Sequence, residues 1–295
     1  MMNQLEKALK DKPILLADGG WGTEIEKLVG KNEPYPEILN ITRPEVIEKI
    51  AQSYVEAGAD IILTNTFGGN FYKLKKYGVE DKIELINKKG VEISKKVAGN
   101  RMVFASVGPT GEILKPYGNV TEQELINCYM QQIKMLDAAD GIVIETMSDI
   151  NEARCALIGA KSITEKPVVV CFTFNPTASG YKTIMGNSIN ECTKMAKEFG
   201  ATAVGSNCGS GIKDFIKITE EMKNFSDLPI WVKPNAGIPK LVQGSTLYPD
   251  DPVYMSGFIP ALIKSGASII GGCCGTTPVH IKKFAEEISK FLNKQ

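Results

Sequence analysis

Ser268-Ile269-Ile270-Gly271-Gly272-Cys273-Cys274-Gly275-Thr276-Thr277-Pro278 runs from an apolar stretch, through glycines and two adjacent cysteines, to a proline. The apolar residues predict a short buried strand over 268–271, and Pro278 suits the first turn of a helix. The cysteines therefore stand where a strand ends and a helix begins. Their flanking glycines allow a sharp turn that aims both sulfurs at one point. Two buried core thiols is the plainer reading of the pair, and the glycine frame argues against it. Adjacent cysteines do not bridge each other without strain. Further back, Gly205-Ser206-Asn207-Cys208-Gly209 ends another apolar run on a third cysteine. Three thiolates at strand ends describe a zinc site whose fourth position is open.

The same strand-then-helix unit recurs along the chain. Strands are expected at 14–18, 60–64, 102–107, 141–145, 167–172, 202–207, 229–233 and 268–271. Helical patterns follow over 43–57, 80–98, 121–138, 149–163, 188–199, 212–224, 252–264 and 277–291. Eight strands alternating with eight helices predict an α/β fold, a (β/α)8 TIM barrel. A doubly wound open sheet is the lesser alternative. Gly58-Ala59, Gly200-Ala201 and Gly266-Ala267 each separate a helix from a strand, and the glycine can take the left-handed conformation that stops the helix. The strand-to-helix loops are longer, at 19–42, 65–79, 108–120, 173–187 and 234–251. Barrels carry their chemistry on that face. No linker divides the chain, so residues 1–295 are expected to form one domain. A barrel sets strands six, seven and eight side by side, which lets Cys208 share an ion with Cys273 and Cys274.

Composition narrows the function classes. Thirty-four basic residues balance 34 acidic ones, which argues against nucleic acid or an anionic membrane as partner. The start of the chain is charged and no apolar run approaches a membrane span, so neither a signal peptide nor a membrane protein is expected. Seven cysteines is an odd number, read as reduced thiols in a cytoplasmic protein. Cys128, Cys155, Cys171 and Cys192 fall inside strand or helix patterns and read as packing residues. A single histidine, His280, leaves little room for histidine metal sites.

The other strand ends carry polar residues. Asp18-Gly19-Gly20-Trp21-Gly22-Thr23 exposes backbone N–H groups that can hold a carboxylate or phosphate, unless it is a plain glycine turn. Glu145 closes the apolar run Ile142-Val143-Ile144, where a carboxylate needs a partner. A substrate ammonium group is one candidate; a structural salt bridge or a helix N-terminal contact is the plainer alternative. Lys233, at the seventh strand end, allows a Schiff-base lyase reading, which leaves the cysteines unexplained.

On these residues the chain resembles the zinc-dependent homocysteine S-methyltransferases. The signature is 271–278 with His280 and Ile281, together with Asn207-Cys208 and Asp18-Gly19-Gly20-Trp21-Gly22-Thr23. Asn65-Thr66-Phe67, Gly108-Pro109-Thr110, Glu145-Thr146 and Pro234-Asn235-Ala236-Gly237 also match, so the likeness runs from about Ile14 to Phe291. The details look most like the homocysteine module of cobalamin-dependent methionine synthase, standing alone, with no folate or cobalamin domain following. The resemblance implies zinc on Cys208, Cys273 and Cys274, with Asn235 at the fourth position before substrate binds. It implies that Glu145 holds the homocysteine ammonium, and that Asp18, Gly20, Gly22 and Thr23 help hold its polar end. The implied chemistry is methyl transfer to a zinc-bound thiolate, with a methyl-corrinoid on a separate protein as donor and methionine as product. S-methylmethionine or betaine as donor, or a non-catalytic zinc- and thiol-binding subunit, are the alternatives.

Overall fold

The computed structural model describes residues 2–30, 35–242 and 245–293. Parts of the expected loops 19–42 and 234–251 fall at 31–34 and 243–244, outside those residues. The apolar runs become eight parallel strands: β1 Leu15–Leu16, β2 Ile61–Leu63, β3 Met102–Val107 and β4 Gly141–Met147, then β5 Val168–Phe172, β6 Ala203–Gly211, β7 Ile230–Asn235 and β8 Ala267–Ile270. They pair in the ring order β1-β8-β7-β6-β5-β4-β3-β2. A parallel bridge, Ala17↔Ile61, returns the ring to its start. The barrel is therefore the expected (β/α)8 fold, not an open sheet.

Side chains alternate along each strand and divide the core into two shells. Leu15, Ala17, Ile61, Leu63, Phe104, Val143, Val169, Cys171, Trp231 and Ile269 fill the interior. Leu16, Ile62, Ile142, Ile144, Val168, Val170 and Ile270 face the helices. Cys171 is thus a core thiol, as its flanks suggested, and Cys128, Cys155 and Cys192 are buried on helices. The seam between β1 and β2 has little main-chain ladder, and two aspartates staple it. Leu16 N–H donates to Asp60 (2.7 Å), and Leu63 N–H donates to Asp18 (2.7 Å).

The outer helices are α1 Pro44–Glu56, α2 Ile83–Ala98, α3 Glu122–Met135, α4 Ile150–Ile163, α5 Ile189–Glu198, α6 Ile212–Phe225 and α8 Pro278–Leu292. Between the last two, the expected helix 252–264 is broken into Pro252–Ser256 and Ile259–Lys264, here α7. Pro260 lacks a backbone donor, so it can only start the second piece. Capping boxes set the starts of α3 at Thr121 with Glu124, α5 at Ser188 with Glu191, and α8 at Thr277 with His280. His280 Nδ1 accepts from Thr277 N–H, so Nε2 carries the proton and donates to the Asp250 carbonyl (3.1 Å). The lone histidine is a capping residue. Gly58, Gly200 and Gly266 all have positive φ, as the helix-stopping role requires.

Among the described residues four α-helices are additional, one of them the single turn Leu39–Thr42. Gln4–Asp11 closes the bottom of the barrel with Leu5 packed into the interior core. Trp21–Val29 lies inside the expected loop 19–42, and Phe71–Lys76 inside 65–79. Short antiparallel hairpins, Asn175–Thr177 with Gly180–Lys182 and Lys240–Val242 with Ser245–Leu247, rise from the top loops. Among the described residues no helix is long and apolar enough to cross a membrane.

Candidate active site and metal centre

Bulges in two strands aim the site. β6 shifts register between Asn207 and Gly211, and β4 between Ile144 and Met147. A bulge leaves a residue out of the ladder and turns its side chain to a new direction. Cys208 (φ 62°) and Thr146 (φ 63°) occupy these turns in the left-handed region. Each costs on the order of 1–3 kcal/mol for a residue with a Cβ. Strands β4 and β6 therefore run past the ends expected from their apolar residues alone.

The loop after β8 brings Cys273 and Cys274 to Cys208. The Cys273 and Cys208 sulfurs are 3.4 Å apart, those of Cys208 and Cys274 3.8 Å, and all three lie within 4.8 Å of one another. The loop is held at both ends. Cys273 N–H donates to the Pro234 carbonyl (2.8 Å), and Ala236 N–H to the Cys274 carbonyl (2.9 Å). Gly275 takes φ 80° beneath the Tyr248 ring, where a Cβ would collide. Thr23 Oγ1 accepts from Gly275 N–H (3.1 Å), and Tyr54 of α1 donates to the carbonyls of Gly20 and Thr276.

Three thiols this close cannot all ionise without a cation. Hydrogen bonds from the other two thiols hold Cys274 low, at about 3, while bonding to its neighbours pushes Cys208 well above the ordinary range. The donors of the cluster are the soft sulfurs that Zn²⁺ takes. Asn235 Oδ1, at the end of the intervening β7, is buried with no hydrogen-bond partner. Its amide N–H donates to the Gly209 carbonyl (3.2 Å). The three sulfurs and this orphaned oxygen fit a metal.

The thiols stand on the wall of a cavity of about 360 Å³, lined also by Trp21, Leu63, Phe67, Glu145 and Lys233. Glu145, a carboxylate that needs a partner, has one in the fold that is none of the candidates: Ser106 Oγ donates to it at 2.5 Å. Burial raises its carboxyl to about 7, with Lys233 pulling the other way. Lys233, 2% exposed, pairs with Asp18, 0% exposed, at 2.6 Å. Burial opposes its charge, but Asp18 and Glu145 outweigh that and hold its pKa above the usual value. A protonated, paired lysine is no Schiff-base nucleophile, which removes the lyase reading.

Two residues expected at the substrate's polar end, Asp18 and Thr23, are held by protein partners. Asp18 does not line the cavity: its carboxylate accepts from Lys233, from Trp21 Nε1 (2.7 Å) and from Leu63 N–H. It braces the pocket floor. Thr23 faces away and braces the cysteine loop. Gly20 and Gly22 do line the cavity. Gly20 caps helix Trp21–Val29 without a side-chain hydrogen bond, so the first-turn N–H groups have no side-chain cap at the cavity wall. Sequence reasoning missed Ser106 and Glu37, and gave Asn207 no role beyond standing before Cys208. Glu37 is a buried cavity carboxylate that accepts from Gly68 N–H at 2.6 Å. A carboxylate after Tyr35-Pro36 in a long loop was the visible signal.

Fold and site together define a barrel with a cluster of three thiols, close enough to hold one metal ion, on the wall of a cavity that two buried carboxylates also line. A homocysteine S-methyltransferase profile matches residues 15–288, and the chain belongs to that family. It is 32% identical over 302 residues to the methionine synthase of Mycobacterium leprae and 31% identical over 301 residues to that of Mycobacterium tuberculosis. Each alignment covers 94% of this chain but only 24% and 25% of the relative, so the chain spans about a quarter of their length. The homocysteine methyltransferase MmuM of Escherichia coli, in its metallated form, superposes with a TM-score of 0.80 at 22% identity. That match covers 96% of this chain and 99% of MmuM, and shows a shared fold.

Proposed function

We propose that the cavity binds homocysteine and that the chain transfers a methyl group to its sulfur, with a methyl-corrinoid held outside this barrel as donor. The observation that carries the reading is the placing of Cys208, Cys273 and Cys274 on the wall of the cavity that Glu145 also lines. Cys208, Cys273 and Cys274 would hold Zn²⁺, with Asn235 Oδ1 as the added oxygen. A zinc ion held there would supply the acidity that keeps a bound thiol deprotonated and its sulfur nucleophilic at neutral pH. The protein's own groups do the positioning. Glu145 holds the substrate ammonium. The first-turn N–H groups near Gly20 and Gly22 hold its carboxylate. Lys233 and Asp18 neutralise each other beneath the site, and the apolar wall of Trp21, Leu63 and Phe67 excludes water.

The donor assignment draws on the rim and on the relatives. Ile113 and Tyr117 on loop 108–120, and Ile184 and Met185 on loop 173–187, are exposed. Tyr117 is 92% exposed, and such residues on the loops around a site suit a protein-borne cofactor. The relatives named methionine synthase extend well beyond the matched segment. A second reading, a small cationic donor such as S-methylmethionine or betaine, is favoured by Glu37, a further buried carboxylate on the cavity wall. Zinc-loaded protein should form methionine from homocysteine and methylcobalamin, free or protein-bound. Turnover with S-methylmethionine or betaine alone, and none with methylcobalamin, would overturn the corrinoid assignment.

A further inference from the structure

Asn207 precedes Cys208 and is completely buried. Its amide orientation is fixed by chemistry. Thr146 N–H can only donate, and it lies 2.7 Å from the amide oxygen, so that atom is Oδ1. Nδ2 therefore faces the other way. One of its hydrogens goes to Thr146 Oγ1 at 2.8 Å. The second is within reach of Glu145 Oε2 at 3.4 Å and Cys273 Sγ at 3.8 Å. One side chain on β6 thus touches the bulge of β4, the carboxylate that lines the cavity, and a sulfur from the β8 loop. It also lies between two left-handed residues, Thr146 and its own neighbour Cys208. Strain of that kind persists only where surrounding contacts over-determine it.

We infer that Asn207 is a positioning residue that ties the sulfur cluster to the substrate carboxylate. Its N–H stands between two groups that carry negative charge in the working enzyme, and each would repel the other without it. It acts on Cys273 and Glu145 and does not itself ligate metal or touch the reacting methyl group. The role is distinct from packing, because Oδ1 and one Nδ2 hydrogen secure the bulge at Thr146 while the second hydrogen is left to Glu145 and Cys273.

The inference rests on the zinc reading of the three cysteines, and the test separates the two. N207D keeps the Oδ1 acceptor for Thr146 N–H, removes Nδ2–H and adds a carboxylate against Cys273 and Glu145. Its zinc affinity is measured by chelator competition and its homocysteine affinity by calorimetry on zinc-loaded protein. Absorption of the Co²⁺-loaded form reports on the sulfur ligands. The expected result is a folded protein with zinc affinity about 10–100-fold lower, weaker homocysteine binding and a shifted sulfur-to-cobalt band. The comparison variant is T173V, which removes the Thr173 hydroxyl that donates to the Asn207 carbonyl (3.0 Å) and leaves Nδ2 alone. It should lower the melting temperature and keep wild-type zinc affinity. If N207D does not fold, T146V decides, since loss of the Oγ1 acceptor unfixes Nδ2 and should weaken zinc several-fold. Wild-type zinc and homocysteine affinities in the folded variant would overturn the inference. Wild-type protein that binds no zinc would overturn the metal reading and this role with it.

Discussion

Replacing Glu145 by glutamine tests the proposed substrate anchor. Glutamine keeps the shape and can still accept from Ser106, but loses the charge. A buried hydrogen bond to a charged group contributes roughly 1.5–3 kcal/mol, so homocysteine affinity should fall by about one to two decades. The pH dependence is a second readout. The carboxyl titrates at about 7, because burial outweighs the pull of Lys233. Its charged form holds the ammonium, so the Glu145 contribution to binding should fall about tenfold from pH 8 to pH 6. E145Q should lose that slope. Stability should move the opposite way. The folded pKa is raised from 4.5 to about 7, so the native state holds the proton more tightly than the unfolded chain within that window. Stability is then lost as pH rises through the window, with a full cost above it of roughly 3 kcal/mol. E145Q should melt higher than wild type at pH 8 while binding substrate worse. Calorimetry of zinc-loaded protein with homocysteine at pH 6 and pH 8, beside thermal melts, measures both. An unchanged dissociation constant with a lowered melting temperature would refute the anchor and make Glu145 a structural carboxylate.

Cys208→Ala and Cys273→Ala should each lose bound zinc in metal analysis of purified protein, and full retention in both would refute the site. Gly20→Ala would place a Cβ 2.5 Å from the Cys273 carbonyl oxygen and 2.8 Å from Thr23 Oγ1. Overpacking of this kind costs typically about 1–3 kcal/mol. Thermal melts should show the loss and chelator challenge a faster release of zinc, while wild-type values in both would mean the loop yields freely.

The barrel was legible because its evidence is local. Apolar β-branched runs, 3.6-residue periods and Gly-Ala turns are each written within a few residues, and β3 runs over Met102–Val107 as its residues predict. The cysteines were legible because strand order turns sequence distance into proximity. What stayed hidden depends on non-local contacts. Helix Trp21–Val29 has a glycine at its cap and no side-chain cap bond, so no start signal announces it. The bulges at Thr146 and Cys208 put ordinary L-residues where glycine is the usual marker. Asp18 reads as a free carboxylate until folding brings Lys233, 215 positions away, to 2.6 Å. Ser106 is one serine in an apolar strand until Glu145 is set beside it.

Asp18 belongs to two structures at once. One oxygen neutralises Lys233 beneath the cavity, and the other replaces a missing rung between the first and second strands. A variant at this position cannot report on catalysis alone, because the same substitution unlatches the ring. In a mutational scan Asp18 would score as indispensable on these structural grounds alone. The seam it fastens is also the place where the cylinder has least of its own backbone to hold it shut. Amide exchange at Leu63 would therefore give early notice of barrel opening, and pocket integrity and barrel closure would be lost together.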